Sequence, residues 1–149
     1  MKLKSRALGA LVGLCALIAL GGTAVAADRP YTEGTVSVVN AIRTEPGMFN
    51  AYMKYLATTY KPMMEEAKKQ GQIVDYAVFG TTPSSPDDPN LYLVVTYKNM
   101  AALDGLSERM DAIQEKFVGD QARQDAATIE RGKMRTMLGS EMLRKFDLK

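Results

Sequence analysis

From Thr35 to Arg43 (TVSVVNAIR), apolar and β-branched residues recur at alternate positions, which predicts a strand over 35–43. Pro46-Gly47 follows and suits the centre of a type II turn, because proline presets φ at the first position and glycine accepts a positive φ at the second. The period then changes. Phe49, Tyr52, Met53, Leu56, Tyr60, Met63 and Ala67 recur at spacings of three and four, while Asn50, Lys54, Lys61 and Glu65 fall largely elsewhere, so a helix is predicted. Pro62 has no N–H and crowds the carbonyl of Thr58, so a kink or break is expected near Lys61. Gly71 ends the helix.

Ile73 to Gly80 and Leu91 to Tyr97 read as two further strands, joined by the proline-rich loop TTPSSPDDPN, and are most simply an antiparallel pair. Both rows of each strand are largely apolar, which predicts a sheet covered on both faces. Asn99 is an N-cap for a helix carrying Leu103, Leu106, Met110, Ile113 and Phe117, which Gly119 stops. Asp120 caps another helix from Gln121 to about Arg131, with Gly132 or Gly139 ending the helical stretch. Ser140 to Leu148 reads as a last strand. The order β-α-β-β-α-(α)-β is the split βαβ, ferredoxin-like arrangement, an α+β fold with a four-stranded antiparallel sheet. Helices cover one sheet face, and a second copy of the chain is the natural cover for the other, as an isologous homodimer.

The first 27 residues change the picture of the ends. Lys2, Lys4 and Arg6 precede an uncharged apolar run from Ala7 to Leu20, and Ala24-Val25-Ala26 forms a small-x-small cleavage pattern. This predicts a secretory signal peptide over 1–27, cleaved after Ala26 or Ala27, and a single domain over 28–149 that is periplasmic or secreted, with no membrane anchor after cleavage. The chain holds 19 Lys+Arg against 17 Asp+Glu; with the three leader cations removed the balance is 16 against 17. The basic character thus belongs to the leader, and no nucleic-acid partner is expected.

Composition narrows the chemistry. The sequence has no histidine, and its single cysteine, Cys15, lies in the leader. That excludes Ser-His-Asp and Cys-His nucleophilic machinery, His-ligated haem and ordinary zinc sites. Methionine clusters such as Met63-Met64 could bind Cu(I), yet their place on apolar stripes marks them as core filling. No cofactor and no metal are expected.

The strand VSVVNAIR, the turn Glu45-Pro46-Gly47, the helix FNAYMKYLATTYKPMMEEAKKQG, the strand DYAVFG and the segment VVTYKNMAAL together resemble the dimeric α+β barrel superfamily. That group includes antibiotic-biosynthesis-type monooxygenases, NIPSNAP-like proteins and stress-responsive barrel proteins. The resemblance covers most of residues 28–149 and implies a homodimer with facing sheets and an apolar pocket between sheet and helices. It carries over no catalytic signature.

Candidate site residues come from the residues themselves. Asn40 shares the apolar row of Val36, Val38 and Ile42, so its amide needs a partner, either a ligand or a neighbouring backbone or tyrosine. Tyr52, Tyr55, Tyr60, Tyr76, Tyr92 and Tyr97 can line a pocket for a flat apolar or aromatic ligand, or serve as large core residues with hydroxyls at the edge; Tyr52, Tyr76 and Tyr92 are the best pocket candidates, because each falls among apolar neighbours. Arg43, beside the turn, either binds an anionic group or is solvated. Asp75 is a candidate general base if buried, and a surface carboxylate if it reaches water. The expected function is an exported small-molecule-binding or sensing protein; a cofactor-free monooxygenase or isomerase acting on an aromatic or polyketide-like substrate and a purely structural dimer are the alternatives. Intact-mass measurement of the protein from the exported fraction of its host is expected to show a chain beginning at Ala27 or Asp28; the uncleaved mass would overturn the leader reading.

Overall fold

A computed structural model describes residues 28–149; the expected signal peptide lies outside the described residues. Along the chain come β1 (Tyr31–Thr44), α1 (Phe49–Tyr55), a π-helical turn (Leu56–Tyr60), α2 (Lys61–Lys69), β2 (Asp75–Gly80) and β3 (Leu91–Tyr97). A 3-10 turn (Met100–Leu103), α3 (Leu106–Phe117), α4 (Gln121–Met134) and β4 (Arg135–Leu148) complete it. The four strands form one antiparallel sheet in the order β2-β3-β1-β4. This is the ferredoxin-like α+β fold that the order of elements predicts. Among the described residues no helix is long and apolar enough to cross a membrane.

The Pro-Gly junction does what its residue types require. Met48 N–H donates to the Glu45 carbonyl at 2.9 Å, and Gly47 holds the positive φ of 78° that closes the turn. The chain thereby reverses from β1 into α1, which lies across the sheet. Pro62 does not break the helix at Lys61. Instead, one π-helical turn over Leu56–Tyr60, with Lys61 N–H bonded to the Leu56 carbonyl, absorbs the missing donor upstream, and α2 continues.

Three other boundaries differ from the sequence reading. The helix expected from Asn99 to Phe117 is interrupted: Asn99 Oδ1 accepts from Ala102 N at 3.1 Å and caps only a 3-10 turn, and Asp104 is extended before α3 begins. Arg109 Nη2, bonded to the Ala102 carbonyl at 2.7 Å, holds the break. Neither Gly132 nor Gly139 ends α4, which runs to Met134 and passes without a loop into β4 at Arg135, where the backbone turns extended. The first and last strands are longer than expected: β1 begins at Tyr31, where Tyr31 to Glu33 pair with Phe146 to Leu148, and β4 begins at Arg135, which pairs with Thr44.

The helix-covered face carries two buried clusters. Ile42, Leu91 and Leu93 of the sheet pack with Tyr52 and Leu56, while Ile73 and Tyr97 pack with Met64, Ala67 and Ile113. Tyr60 touches both. The opposite face is open in the monomer, where Phe79 is 55% exposed and Leu143 52%. Ile42 is fully buried at the centre of the first cluster; Ile42→Ala is therefore expected to cost about 2–5 kcal/mol, read as a lower denaturation midpoint at unchanged slope.

Candidate functional site

Between the helical layer and the sheet lies a cavity of about 190 Å³, lined by Asn40, Tyr60, Met64, Ile73, Leu93, Val95, Tyr97, Met110, Arg135 and Met137. Its walls are mostly apolar, and four lining residues carry polar groups: Tyr97 of β3 and three others. Asn40 comes from the middle of β1, paired between Leu93 and Ser140. Tyr60 comes from the end of the π-helical turn. Arg135 is the first residue of β4, in register with Thr44. Met137, half exposed, stands at the rim.

The polar groups are poorly satisfied within the chain. Tyr60 Oη is out of contact with solvent and has no hydrogen-bond partner, and the same holds for Arg135 Nε and Nη1. Among the described residues no ion pair includes Arg135. Its guanidinium instead lies over the Tyr52 ring, 5.5 Å from the centroid. Desolvation pushes the Tyr60 phenol well above its ordinary value, with smaller contributions from the neighbouring tyrosines. Burial raises Tyr97 as well, and raises Tyr52 against the opposing pull of Arg135. All three phenols therefore stay protonated at neutral pH and can donate a hydrogen bond.

Of the residues singled out from sequence, Asn40 lines this cavity, as do Tyr60 and Tyr97 from the set of tyrosines. Tyr52 is fully buried directly beneath Arg135, and Tyr55 stacks on it at 5.9 Å with its hydroxyl accepting from Arg131 Nη1 at 2.9 Å. Tyr76 faces the helices but donates to Glu65 Oε1 at 2.6 Å, and that bond, followed by burial, pushes its phenol up to about 12. Tyr92 lies on the other side of the sheet, in a groove of about 320 Å³ with Val39, Ala41, Pro89 and Leu138. The four tyrosines therefore do not converge on one ligand.

Arg43 is neither free nor simply solvated. Its Nη1 donates to Asp87 Oδ1 at 2.8 Å and lies 3.3 Å from the Pro86 carbonyl, tying the proline-rich loop to the end of β1. Asn90 completes this clasp, donating to Thr44 Oγ1 at 2.7 Å and accepting from Thr44 N at 3.0 Å. The crevice there is larger, about 420 Å³. Its one cation is already paired, so it offers a ligand little unspent charge. Asp75 is exposed and bonded to Lys68 Nζ at 2.8 Å; that hydrogen bond, with the Tyr76 backbone, holds its carboxyl below the usual range. The burial that would make Asp75 a base is not present.

Sequence reasoning passed over Arg135 as a site residue and ranked Tyr60 below Tyr52, Tyr76 and Tyr92. Tyr60 was visible on the apolar stripe but indistinguishable from its neighbours. Arg135 was hidden by a bulge: Ala41 pairs with Gly139 while Ile42 pairs with Met137, leaving Leu138 supernumerary. Counting back by twos from Ser140 would put Arg135 on the open face, and the extra residue moves it to the helix side. Among the described residues no group of three His, Cys, Asp or Glu is placed to hold a metal ion.

No family model matches the chain, and no curated protein matches its sequence. Solved structures do. A dimeric ferredoxin-like protein from an uncultured marine organism matches with a TM-score of 0.50 at 8% identity, over 79% of this chain and 90% of that one. HapK from Hahella chejuensis matches over 74% of this chain and 91% of that one, at 12% identity and a TM-score of 0.49. A Shewanella oneidensis protein covers 78% and 96% at 14% identity, again with a TM-score of 0.49. The first likeness agrees with the topology in assigning a ferredoxin-like fold; at such identities it assigns no chemistry.

Tyr60→Phe removes a buried hydroxyl that has no partner, so ligand-free stability is expected to stay level or rise. Tyr55→Phe takes away the acceptor of the Arg131 hydrogen bond and is expected to lower stability by about 0.5–1.5 kcal/mol. Parallel urea melts of the two variants check the contrast.

Proposed function

We propose that this chain is an exported homodimer that binds a small, mainly apolar or aromatic molecule in the cavity between its helices and its sheet. The observation that carries the reading is the cavity itself: apolar walls from both layers, with Asn40, Tyr60 and Arg135 among its lining residues. That combination of apolar lining and a few convergent polar groups is what small-ligand sites are built from. The volume suits a single ring or a short branched chain, since a dry cavity of about 150 Å³ in another protein accommodates benzene.

The lining contains no carboxylate and no histidine. Binding is therefore favoured over acid–base turnover, for which a protonated Tyr60 would be a weak base at neutral pH.

Dimerisation is supported by the uncovered sheet face. Val39, Tyr92, Phe79, Leu138 and Leu143 form an apolar surface on the side away from the helices, too continuous to be scattered exposure. Strand β4 adds a second reason: it is a 14-residue edge carrying Met137, Met142, Phe146 and Leu148 in exposed positions. A long apolar edge is a hazard unless another chain covers it. The leader pattern at residues 1–27 supports export.

Native mass spectrometry of the purified protein is expected to give twice the chain mass, and Phe79→Glu is expected to yield monomer. In the same protein, benzyl alcohol is expected to shift the methyl resonances of Met64 and Met110 while leaving that of Met48 in place. A monomer would remove the dimer reading, and unmoved cavity methyls would remove the ligand site.

A further inference from the structure

We infer that the cavity selects a small apolar monocarboxylate, such as a one-ring aromatic acid, and that Arg135 is the residue that recognises its carboxylate. The inference rests on the ligand-binding reading above and adds the chemical class of the ligand.

An unpaired guanidinium drawn out of water is costly, and buried charges are normally paired. Arg135, a partly buried residue, departs from that rule at two of its nitrogens. Two of its nitrogens are out of solvent contact with no acceptor, and no ion pair within the described residues includes it. The Tyr52 ring beneath it offers a cation–π contact but no hydrogen-bond acceptor for the in-plane N–H groups. A guanidinium as a whole is a planar fork of N–H donors, and the group that matches it with two parallel hydrogen bonds is a carboxylate.

The surroundings refine the choice. Tyr60 carries the second unpartnered polar atom of the cavity, and desolvation keeps it a neutral phenol that donates. Asn40 has an amide to offer from the sheet. One cation, one amide and the phenols of Tyr60 and Tyr97 suit a single negative charge with two oxygens. The rest of the lining is Leu93, Val95, Met64 and similar side chains, which offer nothing to the hydration shell of an inorganic oxyanion. At about 190 Å³ the space holds a ring and a carboxylate.

The test compares isosteres in the intact purified protein by calorimetric titration, with methyl NMR of Met64 and Met110 locating the ligand. Benzoate is expected to bind at least about tenfold more tightly than benzamide or benzyl alcohol, the margin of one charge-assisted hydrogen bond. Arg135→Gln is expected to erase that preference while leaving the weak neutral binding in place, and Tyr60→Phe to reduce it partially. Equal binding of benzoate and benzamide would overturn the inference and leave the cavity reading standing. Failure of every probe to move the cavity methyls would overturn both. Displacement of benzoate by equimolar inorganic phosphate would also overturn it, reassigning the site to an inorganic oxyanion. Should Arg135→Gln not fold, the isostere comparison in the wild-type protein and in Tyr60→Phe still decides.

Discussion

A four-stranded sheet has two faces, and this chain supplies helices for only one of them. The contact between β1 and β3 on one side and the bent first helix on the other is what the rest of the molecule depends on. Ile42, Leu91 and Leu93 meet Tyr52 and Leu56 there, and all five are buried. That contact fixes where α1 lies, hence where the π-helical turn falls and where Tyr60 points. It also leaves the gap further along β1 and β3 that becomes the cavity. The second cluster, around Tyr97 and Ile113, closes the other end. The cavity is therefore a space between two cores held apart by the same sheet.

Much of the fold was legible in the sequence because it rests on local rules. Alternation gave the central strands, the three-and-four spacing gave the helices, and Glu45-Pro46-Gly47 gave the turn that joins them. Asn40 was legible for the same reason: an amide in an otherwise apolar row must face something. The disturbance expected near Lys61 from Pro62 takes the form of a π-helical turn over Leu56–Tyr60. What escaped depends on particular side-chain contacts. The break before α3 depends on Arg109 reaching the Ala102 carbonyl, a bond that side-chain spacing alone does not announce. Arg43 looked like a free cation because its partner Asp87 lies 44 residues away.

The candidate site divides along the same line. Tyrosines are conspicuous in a sequence, yet their use is decided by where each hydroxyl ends. Tyr55 and Tyr76 spend theirs on Arg131 and Glu65, and Tyr92 faces the open side. The groups left with unused hydrogen-bonding capacity are Tyr60 and Arg135, one at the end of a distorted helical turn and one at a helix–strand junction. Both sit where regular secondary structure is disturbed, which is where periodicity carries least information and where unusual side-chain placement is most often found.

The single surplus residue at Leu138 has a consequence for how this chain can change over evolutionary time. Because α4 passes into β4 with no intervening loop, a change of length there must be absorbed within the strand. Losing Leu138 would restore plain alternation with Gly139 still opposite Ala41 and Met137 still opposite Ile42, so the side chain of residue 135 would keep its place on the helix side. The fold and the position of the charge would both survive. Relatives that share the architecture can thus differ by this one residue in length without parting company in chemistry.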